Sequence, residues 1–109
     1  MKKFKTPKQL NSILKQITDQ FHPQKVILFG SYAYGRPGAE SDVDLLVVMN
    51  TPERPMRVAA KISASVDHPF SMDILVYTPE EMERRLKWGD GLLHDAVNKG
   101  VVLYEEPAH

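Results

Sequence analysis

Apolar residues recur along this chain at two distinct periods, and the places where one period gives way to the other divide it into elements. Leu10, Ile13, Leu14, Ile17 and Phe21 fall three or four residues apart, which puts them in one stripe along a helix. Thr6-Pro7-Lys8-Gln9 precedes that stripe. A capping hydroxyl, a proline at the first helical position and a glutamine three residues after the cap together predict a helix start, and His22-Pro23 predicts its end. Lys25 to Phe29 is a short run rich in branched apolar residues, stopped at Gly30, as a buried strand would be.

From Gly30 to Ser41 the pattern dissolves into Gly, Pro, Ser and Tyr, which predicts a loop, with room for one helical turn after Ser31. Asp42 to Met49 resumes a strand. Its four consecutive apolar residues, Leu45 to Val48, predict burial on both faces. Val58, Ala59, Ile62 and Val66 return to helical spacing within Met56 to Val66, closed by Asp67-His68-Pro69. Met72 to Tyr77 predicts a third strand, also buried on both faces and interrupted by Asp73.

Thr78-Pro79-Glu80-Glu81 repeats the cap, proline and acidic first turn of a helix start, and that helix is expected to run to about Lys87. A short helix over Leu92 to Val97, ended by Gly100, and a last strand over Val101 to Tyr104 complete the chain. With helices and strands interleaved and no repeat or internal linker, the expected architecture is one α/β (α+β) domain over residues 1–109, with a mixed sheet of about four strands flanked by helices.

Composition narrows what such a domain can do. At 109 residues the chain can bury roughly 60–70% of its unfolded surface and fold alone, but it has no room for a second, acceptor-binding domain of ordinary size. Lys plus Arg and Asp plus Glu both number 14, so the net positive field that draws proteins to nucleic acid is missing. The N-terminal lysines Lys2, Lys3, Lys5 and Lys8 read as a solvated start. There is no cysteine, so a bound metal would take oxygen or imidazole ligands. No apolar run approaches the roughly 18–20 residues of a membrane span, and no signal peptide is evident. A soluble cytoplasmic protein is expected.

The chemistry-bearing residues lie around the loop. Side chains alternate along a strand, so Asp42 and Asp44 project from one face, about 6–7 Å apart at the backbone, and can share a cation. One or two carboxylates plus substrate phosphates is the usual composition of a Mg²⁺ site. Gly30, where a strand turns, lets the backbone approach a bulky anion, and Ser31 adds a hydroxyl donor. Asp73 would be costly as a lone charge in a doubly buried strand. Three carboxylates near 4 Å apart would repel by about 4 kcal/mol per pair at an effective dielectric of about 20, a repulsion that a divalent cation reverses.

Each feature has an ordinary structural reading as well. Asp42 and Asp44 could cap loop N–H groups, Gly30-Ser31 could be a plain turn, and Asp73 a buried, hydrogen-bonded carboxylate. It is their joint spacing that favours a metal. Among the lesser candidates, Arg84, Arg85 and Lys87 beside Trp88 read as a solvated helix face, and Tyr32 and Tyr34 as locally packed loop residues. His22 and His68, each before a proline, read as capping or exposed, and His94 is not spaced with another ligand.

These residues carry a resemblance. LFGSYAYGRPGAESDVDLLVVM is similar to the Gly-Ser, ten-residue, Asp-x-Asp signature of the DNA polymerase β-type nucleotidyltransferase superfamily. The chain as a whole, including Ser71-Met72-Asp73 and the tail from Glu83 to Tyr104, resembles the minimal nucleotidyltransferases. The resemblance implies that Gly30 and Ser31 grip nucleotide phosphates. It implies too that Asp42 and Asp44 bind two Mg²⁺ ions, and that Asp73 completes one metal site and assists deprotonation of the incoming hydroxyl.

The implied reaction is in-line attack on the α-phosphate of ATP with release of pyrophosphate. Tyr34 stands where many relatives have arginine, which leaves Arg36 as the candidate phosphate contact. The implied partner is a helical protein of the HEPN class encoded nearby, in a homo- or hetero-oligomer. There the chain would act as antitoxin by transferring AMP to a tyrosine of the toxin. A non-catalytic antitoxin that works by binding, and the catalytic subunit of a small-molecule nucleotidyltransferase, remain as alternatives at this level.

Overall fold

A computed structural model describes residues 7–30, 33, 43–67 and 71–107. Helix α1 spans Pro7–Phe21, strand β1 Lys25–Phe29, strand β2 Val43–Val48, helix α2 Pro55–Ser65 and strand β3 Met72–Tyr77. Helices α3 (Pro79–Lys87) and α4 (Gly91–Lys99) follow, and strand β4 (Val101–Glu105) ends the described chain.

The strands form one mixed sheet in the order β3-β2-β1-β4. Strand β1 runs antiparallel to both β2 and β4. Strands β2 and β3 are parallel, a pairing that needs a crossover connection, here through α2. The sheet is the predicted mixed one of four strands, with helices on both faces.

Side-chain alternation sorts the sheet into two cores. Val26 and Leu28 of β1, Val43, Leu45 and Val47 of β2, and Met72 and Val76 of β3 face the stripe of α1 (Leu10, Ile13, Ile17) and Val58 and Ile62 of α2. The opposite face carries Ile27, Phe29, Leu46 and Val48 against Met82 of α3 and Leu93 and Ala96 of α4. Strand β2 is thus covered on both sides, as its unbroken apolar run predicts.

Local chemistry sets the helix ends. His22, at φ 52, takes the left-handed conformation that commonly ends a helix and is exposed, as expected. Thr78 accepts a hydrogen bond from the Glu81 N–H at 3.1 Å, which caps α3 as its sequence predicts. Asp90 does the same for α4, accepting from Leu93 N–H at 3.1 Å. That cap starts α4 at Gly91, one residue before the apolar pattern alone indicates. Among the described residues no helix is long and apolar enough to cross a membrane.

Candidate active site

The site is built at the end of β1 and the beginning of β2 and β3. Gly30 follows β1 at φ +80, in the left-handed region that glycine enters without steric penalty. A Cβ built on Gly30 would overlap the carboxylate of Asp44. Glycine is therefore required twice here, by the turn and by the closeness of that side chain.

Asp44 is the second residue of β2 and is half-buried. It lies opposite Phe29 of β1 and opposite Asp73 of β3. Residues paired across adjacent strands are separated by about 4.8 Å, and alternation puts both aspartates on the face shared with Leu46 and Val48. A row of Phe29, Asp44 and Asp73 thus crosses three strands, with Gly30 at its β1 end.

Helix α4 walls one side of this row. A cleft of about 380 Å³ beside Asp44 is lined by Phe29, Gly30, Leu92 and Asp95. Leu93 and Ala96, both fully buried, lock α4 to the sheet and so fix Leu92 and Asp95 at the cleft. Asp95 is steadied by Lys99, one turn on, at 3.8 Å. Sequence reasoning missed Leu92 and Asp95. Their only signal was an i, i+3 spacing flanking the buried Leu93 and Ala96, which places them side by side on the helix.

Asp73 corrects an expectation. It was to be a costly charge in a strand buried on both faces, but it is exposed. Among the described residues strand β3 is an edge strand of the sheet, and α3 covers Leu75 and Tyr77 without reaching Asp73. Asp73 therefore stays in water at little desolvation cost, and its claim to a role rests on its register with Asp44. Ser31, Arg36 and Asp42 lie outside the described residues, as do Tyr32, Tyr34 and His68.

The lesser candidates have ordinary partners. Arg84 and Arg85 both bond Glu81, and Arg85 also lies 3.4 Å from Asp90. The hydrogen bond from Arg85, followed by that from Arg84, holds the Glu81 carboxyl below its ordinary value. His94 Nε2 lies 2.8 Å from the carbonyl oxygen of Leu86.

Among the described residues no three carboxylate or imidazole groups are arranged to hold a metal. Asp44 and Asp73 supply two hard oxygen donors on adjacent strands, and one or two carboxylates beside a phosphate site is the donor set that suits Mg²⁺. The residues present fit that ion.

The sequence matches the family model for the nucleotidyltransferase domain over residues 8–84. No curated protein matches it. Among solved structures, a protein of Sulfolobus solfataricus described as a nucleotidyltransferase superposes with a TM-score of 0.64 at 20% identity, covering 91% of this chain and 79% of that one. A toxin–antitoxin complex with AMP-PNP gives 0.59 at 24% identity, covering 88% and 73%. A variant of the MntA-HpeT toxin–antitoxin complex, in which two aspartates separated by a single residue are replaced by glutamate, gives 0.58 at 22% identity and the same coverage. At these identities the structures establish the shared fold.

Proposed function

Because the chain belongs to the nucleotidyltransferase domain family, we propose that it transfers AMP from ATP to a hydroxyl group, that of a tyrosine on a helical HEPN-type toxin which it neutralises. The observation that carries this reading is the alignment of Asp44 with Asp73 beside the Gly30 turn. Support for the biological setting comes from the toxin–antitoxin neighbours, one of them with AMP-PNP.

Asp44 and Asp73, joined by Asp42, would hold Mg²⁺, which when bound offsets the negative charge of the triphosphate and of the departing pyrophosphate. The remaining work falls to the chain itself. Gly30, lacking a side chain, lets the backbone approach the phosphates, with Ser31 and Arg36 as donors to their oxygens. Asp73, solvated and at the outer end of the row, accepts the proton of the attacking hydroxyl. A new bond forms between that oxygen and the α-phosphorus, the bond to pyrophosphate breaks, and the proton passes from Asp73 to water.

Incubating the chain with Mg-ATP and the product of the adjacent gene, followed by mass spectrometry, tests the reading. AMP on the partner, lost with Asp44→Asn, is the expected result. An unmodified partner that is still neutralised would favour inhibition by binding alone.

A further inference from the structure

The row that makes up the site has a direction. Gly30 lies at its β1 end, Asp44 in the middle on β2 and Asp73 at the outer end on β3. In an in-line displacement the entering and leaving oxygens stand on opposite sides of phosphorus. With pyrophosphate leaving on the Gly30 side, the acceptor oxygen enters from the β3 side, beyond which the described residues place no further strand.

Among the described residues the outer edge of β3 is open. A groove of about 650 Å³ runs along it, floored by Ile74 to Thr78, with Met56 and Ala59 of α2 on one side and Glu81 and Arg85 of α3 on the other. Its β3 floor begins one residue after Asp73. The α3 wall is firm, since Arg85 is bonded to Glu81 at 3.0 Å and lies 5.6 Å over the ring of Tyr77.

The backbone of that edge is aimed outward at alternate residues. The carbonyls of Ser71 and Tyr77 accept from Val43 and Met49 N–H, at 3.0 Å each, so they point toward β2. Alternation by two then turns the N–H and C=O of Ile74 and Val76 to the open side. Among the described residues no strand pairs there. Such a row of donors and acceptors at 3.3 Å per residue, about 13 Å long from Ile74 to Thr78, is matched by an extended polypeptide. A small alcohol has no equivalent ladder of groups.

We propose that the acceptor protein docks by adding an extended segment to the outer edge of β3, which brings its hydroxyl to Asp73. This rests on the transferase reading above and specifies its acceptor as a polypeptide held by main-chain hydrogen bonds. Arg54 also lines the groove and has no ion pair among the described residues, so an acidic side chain of the incoming segment would meet it.

The test is amide hydrogen exchange, read residue by residue by NMR, on the chain alone and saturated with the product of the adjacent gene. Exchange at Ile74 and Val76 should slow at least tenfold in the complex, while Leu75 and Tyr77, which face β2, stay unchanged. Met56→Glu, at a residue 86% exposed, should raise KM for the acceptor at least tenfold and leave KM for ATP unaltered.

Absence of protection at Ile74 and Val76 under saturating partner overturns the docking mode. So does protection that arises in the chain alone as its concentration rises, which would mark a second copy on the edge. Transfer without edge protection refutes the docking mode alone. Edge protection without transfer refutes the reaction and leaves the docking surface in place.

Discussion

Gly30 and Asp44 are fitted to each other: the turn at Gly30 occupies a left-handed conformation, and the space that a Cβ would take there is filled by the Asp44 carboxylate. Gly30→Ala therefore meets two penalties at once. The left-handed backbone costs about 1–2 kcal/mol for an L-residue, and the carboxylate must move. Thermal unfolding should register the first as a lowered Tm, and a raised KM for ATP with reduced turnover should register the second. An alanine variant with wild-type kinetics would show that the close approach has no bearing on the site.

Asp44 and Asp73 stand in register but differ in burial, and their asparagine variants should differ accordingly. Asp73→Asn, at an exposed position, should leave stability within about 0.5 kcal/mol and lower kcat by about 100-fold or more if it accepts the hydroxyl proton. Asp44→Asn should lower transfer by about 100-fold or more and weaken Mg²⁺ binding, measured by calorimetry in the presence of a non-hydrolysable ATP analogue. Equal loss of stability in both would indicate structural roles instead.

The wall of the cleft depends on how α4 is anchored. Leu93 is fully buried, and Leu93→Ala should cost about 2–4 kcal/mol and displace Leu92 and Asp95. Thr78→Ala removes the cap of α3 and should cost about 1 kcal/mol, with KM for ATP unaltered. Denaturant unfolding of the two variants alongside their turnover separates an effect on the fold from one on the site.

A divalent cation held by Asp44 and Asp73, as proposed, would make transfer metal-dependent. EDTA should stop transfer and Mg²⁺ should restore it, with circular dichroism unchanged throughout because both cores are apolar. Persistence of transfer in EDTA would remove the metal from the assignment.

Much of this was legible in the sequence. The stripe of α1, the limits of β1 and β3, and the Thr78 cap follow from periodicity and local hydrogen-bonding chemistry, which act within a few residues. The doubly buried run of β2 was legible for the same reason. Asp73 was misread because an apolar run looks alike in a central strand and in an edge strand of which one face is half covered. Only strand order tells them apart, and that depends on contacts distant in sequence. Leu92 and Asp95 were missed for the related reason that nothing local reports which strand end a helix will pass, and their i, i+3 spacing says only that they are neighbours on the helix. The Asp44–Asp73 register depends equally on the parallel pairing of β2 and β3, which the pattern alone does not specify.

The most direct measurement supplies ATP labelled either at the α-phosphorus or at the γ-phosphorus to the chain, Mg²⁺ and the product of the adjacent gene, and follows the label into protein. Incorporation from the α-labelled nucleotide alone, abolished by Asp44→Asn, is the expected result. Incorporation from the γ-label, or α-incorporation undiminished in Asp44→Asn, would contradict nucleotidyl transfer at this site.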